Sequence, residues 1–151
     1  MILMKGDMWS AWDEADLFLI TTNSTLRQSG HLVMGRGVAR QARDRFPGLD
    51  LSLGDQIATG CGSGGVYGLL VSPRWPRAKL GAFQVKRHWA HPAELGLIWL
   101  SVNSLIRWDM GYPGHTIHLN FPGIGNGGLS ADEVMPLIEA LPNNVYVWRF
   151  P

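Results

Sequence analysis

Ile117-His118-Leu119-Asn120-Phe121-Pro122-Gly123-Ile124-Gly125-Asn126-Gly127-Gly128 passes from an apolar run straight into clustered glycine. Ser130 and Glu133 come next at the spacing of a capping box, so the stretch reads as strand, tight loop and helix. An earlier stretch has the same grammar. Leu17 to Thr22 reads as a strand, and Met34-Gly35-Arg36-Gly37 precedes Val38 to Phe46. There Val38, Ala39, Ala42 and Phe46 recur on one helical face. Glycine lets backbone N–H groups approach a ligand closely, and a helix N-terminus adds unpaired donors and positive potential. Two such loops in one chain suit a ligand with two linked phosphates.

The remaining segments place these two units in an α/β or α/β/α sandwich. Met1 to Met4, Gly81 to Lys86 and Val145 to Phe150 read as strands, and Pro92 to Trp108 as a long helix. The helix from Ser130 is expected to run to about Leu141. Leu49 to Asp55 fits either a short helix or a loop. Gln56 to Cys61 and Val66 to Ser72 read as strands joined by a hairpin at Gly62-Ser63-Gly64-Gly65. Pro73 to Ala78 reads as loop.

With 151 residues the chain fits a single domain, 1–151, large enough for a real core. A formal charge of +1 gives no general field for nucleic acid, although a local basic stripe is compatible with it. One cysteine, Cys61, excludes an intrachain disulfide and fits a reducing compartment; it reads as a buried structural thiol. Met1 to Ser10 lacks the build of a signal peptide, and no apolar stretch is long enough to span a membrane. A cytoplasmic monomer without cofactor is the expectation.

Neither glycine loop satisfies a dinucleotide fingerprint, and no P-loop signature occurs. His115 and His118 are three apart on a strand and point to opposite faces, so no metal site is expected. Lys86 ends an apolar strand before Arg87-His88-Trp89. By itself it is either a solvated strand-end lysine or a functional amine. Asp7, after Gly6, is equally a turn or cap residue.

Taken in order, these pieces resemble the macrodomain family over almost the whole chain. Lys5-Gly6-Asp7 is similar to the family's opening Gly-Asp step, and Thr21-Thr22-Asn23 to its Asn-bearing strand end. His31-Leu32-Val33-Met34-Gly35-Arg36-Gly37-Val38-Ala39 and Phe121 to Leu129 resemble the two ligand loops. Phe83-Gln84-Val85-Lys86-Arg87-His88-Trp89 resembles the Phe-x-Thr-Lys-Arg-His-Trp segment of the DarG-type DNA ADP-ribosyl glycohydrolases. These share a branch with the terminal ADP-ribose glycohydrolases. The loop from Gly123 to Leu129 lacks the carboxylate of the human terminal enzyme, so a lysine–aspartate pair is not implied; Asp132, the nearest acid, falls in the next helix.

The resemblance implies a three-layer α/β/α macrodomain with a central mixed β-sheet. It implies binding of ADP-ribose or an ADP-ribosylated macromolecule, and removal of ADP-ribose with Lys86 as the catalytic residue. Asp7 would accept from the adenine amine, and Asn23 would orient the distal ribose. Met34, Gly35, Arg36, Gly37 and Val38 would face Gly123, Ile124, Gly125, Asn126 and Gly127 across the diphosphate. Trp148 would either pack on adenine or belong to the core. Arg74, Trp75, Arg77, Arg87 and Trp89 form a strip that would hold single-stranded DNA, the target class of DarG. The alternatives are a non-catalytic ADP-ribose reader or sponge, and an ADP-ribose 1″-phosphate phosphatase.

Overall fold

Leu17, Phe18, Leu19 and Ile20 are all buried, but they serve two different cores. Leu17 and Leu19 pack with Phe83, Ile98, Val102 and Leu119, whereas Phe18 and Ile20 pack with Ala42, Leu53, Ile57 and Ala82. The period of two along a strand thus feeds both faces of one sheet, as expected where helices cover each side. A computed structural model describes residues 1–71 and 79–150. Its strands are β1 (Ile2–Lys5), β2 (Leu17–Thr22), β3 (Leu69–Val71), β4 (Leu80–Gln84), β5 (Ile117–Asn120) and β6 (Val145–Arg149).

The strands lie in the order β1-β6-β5-β2-β4-β3. Neighbours are parallel except β3, which runs antiparallel to β4. Helices α3 (Leu95–Gly111) and α4 (Ala131–Ile138) cover one face. Helices α1 (Gly37–Arg45) and α2 (Leu49–Gly60), with a 3-10 turn at Met8–Ala11, cover the other. This is a three-layer α/β/α sandwich around a mixed sheet. Ser130 caps α4 in a complete capping box with Glu133, and Asp132 lies in its first turn.

The stretch after Leu49 corrects the reading from sequence. Gln56 to Cys61 is not a strand; Gln56 to Gly60 form the second half of α2 and Cys61 is its C-cap, so the expected hairpin does not form. Leu49, Leu53 and Ile57 are buried at four-residue spacing, a helical stripe that decides the segment. Gly62, at φ +81°, is the left-handed residue just past the helix. Cys61 is exposed at that helix end, not buried. The strand expected over Val66 to Ser72 reduces to β3 within the described residues. Pro92 precedes α3 by three residues, with Glu94 at the N-cap. α4 ends at Ile138, sooner than expected. The loop reading of Pro73 to Ala78 lies outside the described residues.

Candidate functional site

β2 and β5 are neighbours in the sheet, but their chains leave in opposite directions. β2 leads through the Met34–Gly37 loop to α1 on one face, and β5 leads through the Pro122–Gly128 loop to α4 on the other. Such a divergence opens a crevice at the carboxyl ends of the strands, the usual ligand position in an open α/β sheet. The ladder between β2 and β5 ends at Leu19 and Leu119. Beyond it the side chain of Asn120 takes over. Its Oδ1 accepts from Thr21 N at 2.9 Å, and its Nδ2 donates to Thr21 Oγ1 at 2.8 Å. Asn120 therefore closes the floor of the crevice, a role that no local sequence pattern revealed.

The two glycine loops face each other over this floor. A Cβ on Gly37 would lie 3.6 Å from Asn126 Nδ2. Arg36 is the N-cap of α1 without a side-chain cap bond, and no acid lies in the first turn. Among the described residues, the N–H groups of Gly37, Val38 and Ala39 donate to no protein acceptor. The same holds for Ile124, Gly125 and Asn126 on the opposite loop. α4, by contrast, is capped by its own Ser130 and Glu133. The open donors are thus confined to one side of each facing loop, where an anion can accept from them.

Within these loops the residues divide. Gly35, Arg36, Gly37, Gly125 and Asn126 are exposed, and Val38 and Ile124 are half-buried. Met34 is buried in the core beside Leu32, so only its backbone reaches the crevice; its side chain is not a contact residue. Gly123 has φ +78°, and a Cβ there would come 2.7 Å from Ile98 Cδ1. It is required by packing. Gly127 is buried, and its carbonyl accepts from Ala93 N at 2.8 Å, tying the loop to the approach to α3.

Asp7 lies just beyond β1 and is exposed. Its Oδ1 accepts from Trp9 N at 3.0 Å as the cap of the 3-10 turn. The other carboxylate oxygen has no protein donor among the described residues. Asn23 lies just beyond β2 and is 8% exposed. Its Nδ2 donates to Val33 O at 3.0 Å and its Oδ1 accepts from Thr25 N at 2.8 Å, so it holds the approach to the first glycine loop. Trp148 is also only 8% exposed, and its indole N–H donates to His118 Nδ1 at 2.8 Å. An indole nitrogen only donates, so Nδ1 is unprotonated and His118 carries its proton on Nε2 when neutral. Burial holds His118 below the usual histidine range. Of the two readings of Trp148, the core one holds; an open platform for a base is corrected by this burial.

Lys86 stands two residues beyond β4, half-buried, with Nζ donating to Trp89 O at 3.0 Å. Burial pushes its amine below the ordinary lysine value, and the Arg36 guanidinium adds to this. The charge of Arg36 brings the first glycine loop and Lys86 into one electrostatic unit. Arg87 turns the other way. Its Nε and Nη2 bind Glu94 at 3.0 and 2.9 Å, so its fork is engaged within the protein. Trp89 is 50% exposed beside His88. On the Arg87 side a groove of about 750 Å³ is lined by Thr25, Ser63, His88, His91 and Glu94. Neither glycine loop lines it. Arg74, Trp75 and Arg77 lie outside the described residues. No group of three or more His, Cys, Asp or Glu that could hold a metal ion occurs among the described residues, and no described helix is long and apolar enough to cross a membrane.

The sheet order, the crevice and the facing loops define a macrodomain fold. In sequence the chain matches no protein-family model and no curated protein. In structure it is similar to the macrodomain of Thermus aquaticus DarG, with a TM-score of 0.71 and 24% identity over 99% of this chain and 97% of that one. The macrodomain of Mycobacterium tuberculosis DarG aligns with a TM-score of 0.71 and 23% identity over the same shares. Thermosipho africanus DarTG in complex with ADP-ribose aligns with a TM-score of 0.70 and 19% identity, over all of this chain and 42% of that one.

Proposed function

We propose that this macrodomain binds ADP-ribose in the crevice and hydrolyses its bond to a modified macromolecule, with Lys86 as the catalytic residue. The observation that carries the reading is the pair of facing loops with open N–H groups at the carboxyl ends of β2 and β5, with half-buried Lys86 just beyond β4, the other neighbour of β2. The facing N–H groups around Gly37 and Gly125 suit a diphosphate between them. The free oxygen of Asp7 suits the adenine amine, and Asn23 the distal ribose through its remaining N–H. The ADP-ribose complex of the Thermosipho protein supports the ligand class.

Hydrolysis at C1″ passes through an oxocarbenium-like transition state. A neutral lysine serves it either as a nucleophile, Nζ bonding C1″ as the glycosidic bond breaks, or as a base that takes a proton from the water attacking C1″, the departing group being protonated from solvent in each case. Burial and Arg36 supply that form at lower pH than an ordinary lysine. For the target we favour a single strand of ADP-ribosylated DNA, with exposed Trp89 as the stacking face. The first test is calorimetry with free ADP-ribose, then ADP-ribose release from a modified single-stranded oligonucleotide and from a modified protein. Saturable binding and release from the oligonucleotide are expected. Absence of binding rejects the site, and absence of release from both rejects the hydrolase.

Arg36 gives a pH prediction. Its positive charge disfavours protonated Lys86, so Arg36→Ala raises the Lys86 value and lowers the neutral fraction at any pH below it. The rising limb of kcat against pH is expected to move to higher pH. It stops short of an ordinary lysine because burial, the larger cause, remains. A limb that stays in place shows that Arg36 does not tune the amine.

A further inference from the structure

Gln84 is the last residue of β4 and is fully buried, at 0% exposure. A buried carboxamide offers two N–H donors and one oxygen acceptor, and leaving them unpaired is costly. Here all are used. Oε1 accepts from Tyr67 N at 2.8 Å and Gly68 N at 3.0 Å. Nε2 donates to Gly65 O at 2.9 Å and to Lys86 O at 3.2 Å. The β3–β4 ladder begins only at Leu69 and Phe83. Ahead of it, the backbone still meets once, where Gln84 N donates to Gly68 O at 2.7 Å, and the Gln84 side chain supplies the further bonds to Gly65 O, Tyr67 N and Gly68 N.

The consequence reaches the ends of both β2 and β4, which pair at Thr22 and Gln84. The Tyr67 hydroxyl donates to Asn23 O at 2.7 Å and is hydrogen-bonded to Thr22 Oγ1. Tyr67 is held at its own N–H by Gln84. One side chain therefore joins the backbone that carries Asn23, through Tyr67, to the backbone that carries Lys86. Lys86 lies outside the strand ladder, and Gln84 Nε2 is the partner of its carbonyl among the described residues.

We infer that Gln84 is the positioning residue of Lys86: through its bond to Lys86 O it sets where the lysine amine stands relative to Asn23, at the ends of the neighbouring strands β4 and β2. This rests on Lys86 being the catalytic residue. Val85 N donates to Thr22 O and Ser24 Oγ to Arg87 O, so the flanks of Lys86 are held separately and Gln84 fixes the peptide between them; a misplacement of about 1 Å at a reacting group costs on the order of 100-fold in rate.

The test uses Gln84→Met in the full chain, similar in length and unable to make any of the four bonds. Folding is monitored by thermal melting, binding by calorimetry with free ADP-ribose, and turnover on an ADP-ribosylated single-stranded oligonucleotide. The Lys86 amine is titrated by NMR with labelled lysine. The expected result is a fall in kcat of about 100-fold, with ADP-ribose affinity changed by less than about threefold. Lys86 should titrate closer to an ordinary lysine. The double variant with Lys86→Ala should lose no more than Lys86→Ala alone, as expected of residues acting in series. An unchanged Lys86 titration, or an unchanged kcat, in a folded Gln84→Met overturns the inference.

If Gln84→Met does not fold, Gln84→Glu replaces it. Burial against the Gly65 and Lys86 carbonyls favours its protonated form, which keeps the acceptor for Tyr67 and Gly68 and has one O–H donor for those two carbonyls; wild-type kcat and Lys86 titration across the whole pH range, ionised form included, overturn the inference. A wild-type protein that releases no ADP-ribose rejects the hydrolase reading instead. In that event the Lys86 titration in Gln84→Met still decides whether Gln84 sets the lysine.

Discussion

Lys86→Ala is expected to lose turnover by about 1,000-fold and to keep its affinity for free ADP-ribose, on the scale usual for removal of a proton-handling group. The structure says why the two properties separate. The donors proposed for the diphosphate are open backbone N–H groups of the two glycine loops, and none of them depends on the Lys86 side chain. The lysine makes one protein hydrogen bond among the described residues, to the carbonyl of exposed Trp89, which water can replace when it is gone. A stability change within about 1 kcal/mol is therefore expected. Lys86→Arg sharpens the test. Arginine keeps the charge and reaches a similar distance, but it does not become neutral, so it is expected to be as inactive as alanine. Full activity in either variant removes Lys86 from the chemistry. Loss of binding together with turnover would give it a structural role. A reader protein behaves differently from the start, because its wild type binds ADP-ribose and releases none.

The parts of this site legible in the sequence were those written in consecutive residues. Gly37 and Gly125 announce themselves by neighbouring glycines, and Ser130 with Glu133 announces the start of α4. The apolar run from Leu17 to Ile20 resolves into a strand with two buried faces only once both helical layers are known. What stayed hidden was long-range. Asn120 meets Thr21 across 99 positions and Tyr67 meets Asn23 across 44, and no local pattern marks such pairs. Trp148 was undecided between core and ligand because its partner His118 lies 30 residues away. Gln84 carries no mark of its role within the strand read from Gly81 to Lys86, because its side-chain partners at Gly65, Tyr67 and Gly68 lie 16 to 19 residues away. In α2 the signal was present but overruled. The stripe of Leu49, Leu53 and Ile57 was masked by Gly54, a weak helix former in the middle of the helix.

Gly54 also gives the largest expected stability change. A Cβ at this position would stand 1.9 Å from Gly30 O, and 3.1 Å from Leu32 N. These are backbone atoms, so no side-chain rotation relieves the clash. Leu32 N also donates to Asp50 O at 2.9 Å, one turn earlier on the same helix, which pins the two segments together. Helix propensity alone would favour Gly54→Ala by about 1 kcal/mol. Overpacking against the backbone costs more, and a net loss of about 3 kcal/mol is expected. For a domain of this size that lowers Tm by about 10 °C in a thermal melt. The displacement does not stop at the helix. Residues 30–34 lead directly into the first glycine loop, and Val33 O is the acceptor of the Asn23 amide. Gly54→Ala should therefore also weaken ADP-ribose binding in the fraction that remains folded, measured well below the melt. A variant that melts like the wild type would show that α2 and the Gly30 turn can separate freely. A destabilised variant with undiminished affinity would show that the loop is held by the bonds of Val33 to Asn23 and Thr25, independently of α2.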